Sequence, residues 1–255
     1  MSDESNPKSW RPRTRAVRGG TWRSASGETS EAMFVTSGFA YPDAGSAERR
    51  FKNEEPGYIY SRFSNPTVAM FEERLRLLED APEGVECRAT ATGLAAINAS
   101  IIGHLSAGDH VVSARALFGG CRYIVEELAP RLGIASTLID GRDIKAWEAA
   151  VRPNTKAFFL ETPSNPTLEI CDLRAISALA RSVGALLIVD NVFASPVFQK
   201  PFALGADIVV YSATKHMDGQ GRVLGGAILA RKEVFDDKLG VYLRNTGPSL
   251  SPFNA

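Results

Sequence analysis

Ala185-Leu186-Leu187-Ile188-Val189-Asp190-Asn191 and Ile208-Val209-Val210-Tyr211-Ser212-Ala213-Thr214-Lys215-His216 are the two stretches that decide the architecture. Each is a short apolar run that ends in polar, chemically capable side chains. Runs of this length, rich in Val and Ile and free of polar interruptions, predict strands buried on both faces. Further apolar runs lie at 110–113, 136–139, 157–160 and 227–230. Between them, helix-like stretches occupy 93–105, 120–132, 143–151, 173–183 and 232–239. Such alternation implies an α/β architecture, a mainly parallel central sheet flanked by helices. Upstream, Asn65-Pro66 predicts a helix start, with Asn as the cap and Pro at the first helical position. Val68, Phe71, Leu75 and Leu78 then follow on one apolar stripe. Residues 1 to about 60 read as arm and loop. The last stretch, 246–255, reads as a loop leading into another element, so a C-terminal segment is expected to be missing.

A chain of 255 residues suits one large domain, or a domain with a short extension. Its formal net charge is zero, which argues against bulk attraction to nucleic acid or to an anionic membrane. Arg11, Arg13, Arg15, Arg18 and Arg23 crowd the start, and read as a solvated arm or a strap across a neighbouring subunit. Cys87, Cys121 and Cys171 have no metal-ligand spacing, and so sparse a set suits a reducing compartment. Neither a signal-like apolar core in residues 1–20 nor a run of the ~18 apolar residues that a membrane span needs is present. A cytoplasmic protein is expected.

The strand ends carry the chemistry. Open α/β sheets bind ligands at the carboxyl edge of their strands, where Ser212, Thr214 and Lys215 fall. A lysine is costly to bury as a cation unless it is neutralised or covalently used, and condensation with an aldehyde uses it. Ser212 and Thr214 offer hydroxyls to a phosphate. By itself this segment reads as a surface loop with a solvated lysine. Asp190, ending a second strand, supplies what a protonated pyridine nitrogen needs beside it; alone it reads as a turn residue. Thr92-Gly93-Leu94 opens a helix, whose N-terminal N–H groups suit a phosphate. Phe118-Gly119-Gly120 sets an aromatic ring beside flexible glycines, fit to stack on a flat cofactor or to fill a core. Glu161-Thr162-Pro163-Ser164-Asn165-Pro166 holds Asn165 between prolines, rigid enough to aim its amide. His104 and His110 read as structural, His216 as support for the lysine loop. Gly219-Gln220-Gly221-Arg222-Val223-Leu224-Gly225 lacks the spacing of a dinucleotide loop.

Taken in order, Tyr60-Ser61-Arg62 with Asn65-Pro66-Thr67, Thr92-Gly93-Leu94, Phe118-Gly119-Gly120, 161–166, Val189-Asp190-Asn191 and 212–216 resemble the Cys/Met-metabolism pyridoxal-phosphate (PLP) enzymes, the cystathionine γ-synthase group of fold type I. The match runs from about residue 18 to the end. The stretches 17–23, 28–34 and 51–57 are similar to the sulfhydrylase branch that acts on O-succinylhomoserine.

The resemblance implies a fold type I PLP-transferase with residues 1–62 as an arm serving a neighbouring subunit's site. Residues 63–255 would form the cofactor-binding domain, the small C-terminal domain being absent. It implies Lys215 as the cofactor's covalent anchor and proton shuttle, with Tyr60 also in the catalytic set. Asp190 would pair with the pyridinium nitrogen and Asn165 lie near the ring hydroxyl. Phe118 would stack on the ring, while Gly93, Leu94, Ser212 and Thr214 hold the phosphate. Tyr60 and Arg62 would reach that phosphate from the next subunit, which makes a homo-oligomer, dimer or tetramer, necessary for a complete site. The implied reaction is γ-replacement, O-succinylhomoserine and sulfide giving homocysteine and succinate. A cystathionine γ-synthase, a γ-lyase, or a non-catalytic PLP-binding or assembly piece are the alternatives. Phe118 stands where many members carry a tyrosine, which removes a phenol from the mechanism. No arginine here is assigned to the substrate carboxylate.

Overall fold

The computed structural model describes residues 6–255. Seven strands form one sheet in the order β1-β7-β6-β5-β4-β2-β3. They are β1 (Val85–Thr90), β2 (His110–Ala114), β3 (Ala135–Ile139), β4 (Thr155–Glu161), β5 (Leu186–Asp190), β6 (Ile208–Tyr211) and β7 (Gly226–Arg231). All run in one direction except β7, which lies antiparallel between β6 and β1. Six strands fall where the apolar runs place them, and the mainly parallel sheet agrees with the expectation.

Both faces of the sheet are covered. Leu187, Val189, Val209, Tyr211 and Leu229 pack in one buried cluster with Leu75, Trp147 and Ile176 from the helices Pro66–Leu78, Ile144–Ala150 and Leu173–Ser182. Ile188, Ile208, Val210 and Ile228 alternate with them and join a second cluster, with Ile97 of the helix Gly93–Ile102 and with Cys121 and Val125. Side chains of a strand alternate between faces, so a strand covered on both sides needs apolar residues at every position. Trp147 is fully buried, stacks on Phe158 at 5.1 Å and donates its indole N–H to Gly141 O at 3.0 Å.

Asn65 caps Pro66–Leu78 as expected, its side chain accepting from Thr67 N at 2.9 Å. The helix beginning at Gly119 continues through a π-helical turn, Ile124–Leu128, to Arg131. A second π turn, Phe235–Leu239, carries the helix from Lys232 on to Thr246, past the expected end at 239.

Three expectations need correction. β1 was missed because Glu86 and Arg88 interrupt its apolar pattern. It is an edge strand, with only β7 beside it, and alternate positions stay partly exposed. The segment read as arm and loop contains the helices Pro12–Arg18 and Ala44–Phe51, the latter capped by Asp43, which accepts from Ser46 N at 2.7 Å. Finally, Arg15 is not a solvated arm residue. Its guanidinium binds Leu77 O at 3.1 Å, Trp10 O at 2.8 Å and Asp80, clamping the Pro12–Arg18 helix to the end of Pro66–Leu78. Among the described residues no helix is long and apolar enough to cross a membrane. All three cysteines are buried and free.

Candidate active site

Because β4, β5 and β6 are parallel, Glu161, Asp190 and Tyr211 arrive at one edge of the sheet, with Glu161 directly opposite Asp190. β1 runs the same way, so the turn after Thr90 reaches that edge too. There Thr92 caps the helix Gly93–Ile102, its hydroxyl accepting from Ala95 N at 3.0 Å. The first N–H groups of such a helix have no intrahelical partner, which suits them to an anion.

Glycine at 93 is required by contact. A Cβ there would sit 2.6 Å from Ser212 Cβ, so the structure brings the Gly93 turn and the Ser212 loop together with no room between them. A Cβ on Gly120 would meet Leu94 Cδ2 at 2.8 Å and Phe118 Cε1 at 3.0 Å. Gly93, Leu94, Ser212 and Phe118 are thereby gathered around one edge, and Phe118 is 46% exposed, accessible to a flat partner.

Asp190 is the electrostatic centre. It is 5% exposed, yet among the described residues its carboxylate has no cationic partner, and the one hydrogen bond to that carboxylate comes from Val192 N at 3.1 Å. Burial, and then the neighbouring Glu161 carboxylate, push its pKa up to about 8. A buried carboxylate is costly when unpaired. A pyridinium nitrogen beside it would supply the missing positive charge, and this is the test that the residues pass for PLP.

Glu161 is a site residue to which the sequence motifs assign no role. Its Oε2 accepts from Phe118 N at 2.9 Å, while Oε1 is buried without a hydrogen-bond partner among the described residues. Burial raises its pKa, and backbone N–H groups of Phe118 and Asn165 oppose the rise. Glu161 thus fixes the loop that carries the expected stacking ring. The readable signal was a second carboxylate at a strand end.

Lys215 lies on the loop after β6, where its N–H donates to Ser212 O at 3.3 Å and its carbonyl accepts from Gly219 N at 2.8 Å. Its side chain is exposed, so in this chain by itself the amine is not desolvated as the strand-end argument supposed. Thr214 Oγ1 donates to Gly225 O at 3.2 Å and accepts from Gly225 N at 3.0 Å, so its proton is committed to closing the loop. The Asn165 side chain has no hydrogen bond among the described residues and is half-buried.

Neither Tyr60 nor Arg62 makes a hydrogen bond to Gly93, Leu94, Ser212 or Thr214 among the described residues. Tyr60 bridges to Gly38, and Arg62 donates to Arg244 O while lying over the rings of Phe63 at 4.7 Å and Tyr60 at 5.5 Å. His110 is buried and bonded at both ring nitrogens, to Thr155 Oγ1 at 2.8 Å and Thr137 Oγ1 at 2.9 Å, a structural role as expected.

A seven-stranded, mostly parallel sheet with a lysine loop, a buried strand-end aspartate and a glycine-opened helix at one edge defines the fold type I class of PLP-dependent proteins. The family model described as Cys/Met metabolism PLP-dependent enzyme matches residues 13–255, and the chain belongs to that family. It is 48% identical over its full length to an O-succinylhomoserine sulfhydrylase of Mycobacterium tuberculosis, covering 64% of that protein. It is 36% identical over 95% of its length to an L-methionine gamma-lyase of Treponema denticola, covering 60% of it. Among solved structures it is similar to a candidate O-acetylhomoserine (thiol)-lyase of Campylobacter jejuni that contains N'-pyridoxyl-lysine-5'-monophosphate. There the TM-score is 0.89 at 28% identity, over 96% of this chain and 68% of that one. The chain therefore spans a little under two thirds of the length of the curated relatives it matches.

Proposed function

We propose that this protein performs γ-replacement on O-succinylhomoserine, using sulfide and releasing homocysteine and succinate. The observation that carries the reading is its 48% identity to an O-succinylhomoserine sulfhydrylase, against 36% to a γ-lyase. PLP supplies the electron sink for a substrate carbanion.

In this reading the chain's residues do the rest. Asp190 holds the proton on the pyridine nitrogen. The N–H groups of Gly93 and Leu94, with the Ser212 hydroxyl, bind the phosphate, and Thr214 keeps the lysine loop closed behind it through Gly225. The Phe118 ring covers one face of the cofactor, held in place by its backbone bond to Glu161. Asn165 aims its amide at the ring hydroxyl. Since Phe118 has no ionisable group, the Lys215 amine would be the group left to move protons at the substrate's Cα and Cβ.

Residues 1–62 act as the arm and 63–255 as the cofactor-binding domain. Tyr60 and Arg62 complete the phosphate site of a neighbouring subunit in a dimer or tetramer. Three buried free thiols fit a cytoplasmic setting.

The test supplies full-length protein with O-succinylhomoserine and offers sulfide, cysteine or no thiol. Homocysteine and succinate should dominate with sulfide. Cystathionine as the favoured product, or 2-oxobutyrate as the main product in the presence of sulfide, would overturn the assignment. Borohydride trapping followed by peptide mapping should place the cofactor on Lys215.

A further inference from the structure

Behind the site, on the other face of the sheet, lies a buried polar chain for which the proposed mechanism has no use. Tyr211 packs with the cluster that includes Leu187 and Val189, whereas Ile188 and Val210 belong to the opposite cluster. By alternation along β5 and β6, the side chain of Asp190 points to the helix Gly93–Ile102 and that of Tyr211 points away from it.

The Tyr211 hydroxyl donates to Glu79 Oε2 and accepts from Asn191 Nδ2 at 2.7 Å. Asn191 Oδ1 accepts from Gln199 Nε2 at 2.7 Å, and that same amide donates to Thr162 O at 3.0 Å. Glu79 is 1% exposed, Tyr211 1% and Asn191 fully buried. Glu79 Oε1 has no hydrogen-bond partner among the described residues.

The sequence positions give the chain its meaning. Thr162 follows Glu161, Asn191 follows Asp190, and Tyr211 precedes Ser212. One connected set of side chains therefore fixes the backbone beside each site residue that β4, β5 and β6 deliver to the edge. Asn191 also donates to Ser195 O at 3.2 Å and Gln199 O at 3.1 Å, shaping the turn that offers Val192 N to Asp190. Such a network costs a great deal when broken, because each buried member is left unpaired.

We propose that Glu79, acting through Tyr211 and Asn191, is a positioning residue for the cofactor site, setting the placement of Asp190 and of the Ser212–Lys215 loop from the far face of the sheet. Burial pushes the Glu79 pKa up to about 7, against the Tyr211 bond and the nearby Lys200, with Asp80 adding to the rise. Among the described residues its carboxyl makes no salt bridge, and its one hydrogen bond is the one from Tyr211. The inference rests on PLP being held at Lys215 and Asp190, and it is independent of which substrate is used.

The experiment compares full-length holoprotein with Tyr211→Phe, Glu79→Gln and Glu79→Leu. Three quantities are read: melting temperature, PLP dissociation constant, and the pH midpoint of the bound cofactor's absorbance change. Gln keeps an acceptor for Tyr211, whereas Leu removes it. Tyr211→Phe and Glu79→Leu should weaken PLP binding by about tenfold and move the absorbance midpoint, while Glu79→Gln stays close to wild type. If the melting temperatures fall but the midpoint and the dissociation constant match wild type, the chain is structural only and the proposal is overturned. If Tyr211→Phe yields no folded holoprotein, the Gln and Leu pair decides alone, and equal midpoints in the two overturn it. A wild-type protein showing no cofactor band at all would instead refute the cofactor assignment.

Discussion

Asp190 and Lys215 were both legible in the sequence, though for different reasons. A carboxylate or an amine that ends an apolar strand must lie at the sheet edge, and the structure puts Asp190 there, buried and uncompensated. The environment of Lys215 was not legible, because exposure depends on what covers a loop, and one chain leaves that amine in solvent. Glu161 went unassigned because its effect comes from lying opposite Asp190, a fact of register. The pH behaviour of Asp190 follows directly. Its pKa in the folded state is raised, so the native cofactor-free protein holds a proton that the unfolded chain has lost between roughly pH 4 and pH 8. Its contribution to stability is present below the ordinary aspartate range and is lost as pH rises through about 8. Asp190→Asn should therefore stabilise the PLP-free protein progressively more from pH 5 to pH 8, and should weaken PLP binding. Melting curves across that range check it, and a pH-independent difference would contradict it.

Among the elements, the buried strands were the easiest to read, since coverage on both faces leaves an unbroken apolar signal. β1 was hidden by the polar residues that an edge position tolerates, and its pairing with β7 is non-local. The π-helical turns were equally unreadable, because the same apolar stripe continues through them. The Asn65-Pro66 helix start was readable from local chemistry alone. The Gly93 turn joins two elements at a contact that admits no Cβ, so Gly93→Ala must force the β6 loop away from the helix start. The expected cost is about 1–3 kcal/mol of stability together with weaker PLP retention. Gly119→Ala, where an added Cβ meets nothing within 4 Å, is the matched control for stability. Thermal unfolding of both variants with and without PLP tests the contrast; equal behaviour would remove the close-contact argument.

For the molecule as a whole, the family and the class of fold could be read from ordered motifs, whereas the arm could not be read as structured. The Pro12–Arg18 helix is clamped by Arg15 to the same chain's Pro66–Leu78 helix, and Arg74 ties back to Gly19 O at 2.8 Å and to Glu31. Within the described arm, the part with Tyr60 and Arg62 is then the one proposed to serve a neighbour. On that reading Arg62→Ala should weaken PLP retention by about tenfold or more in the assembled protein. Its melting temperature should change little, since the side chain's bond to Arg244 O is on an exposed surface. Equilibrium dialysis of PLP against the purified oligomer measures this, and an unaltered affinity would remove Arg62 from the phosphate site.

The reversed strand between β6 and β1 also has a consequence for biogenesis. β1 has β7 as its only strand neighbour, so during translation an early ribbon must wait for a late one before it can dock. Until Gly226–Arg231 has left the ribosome, the Thr92 carbonyl lacks the Gly226 backbone that it packs against. A nascent polypeptide stalled before that stretch should be unable to capture the vitamin, even with its reactive amine already synthesised.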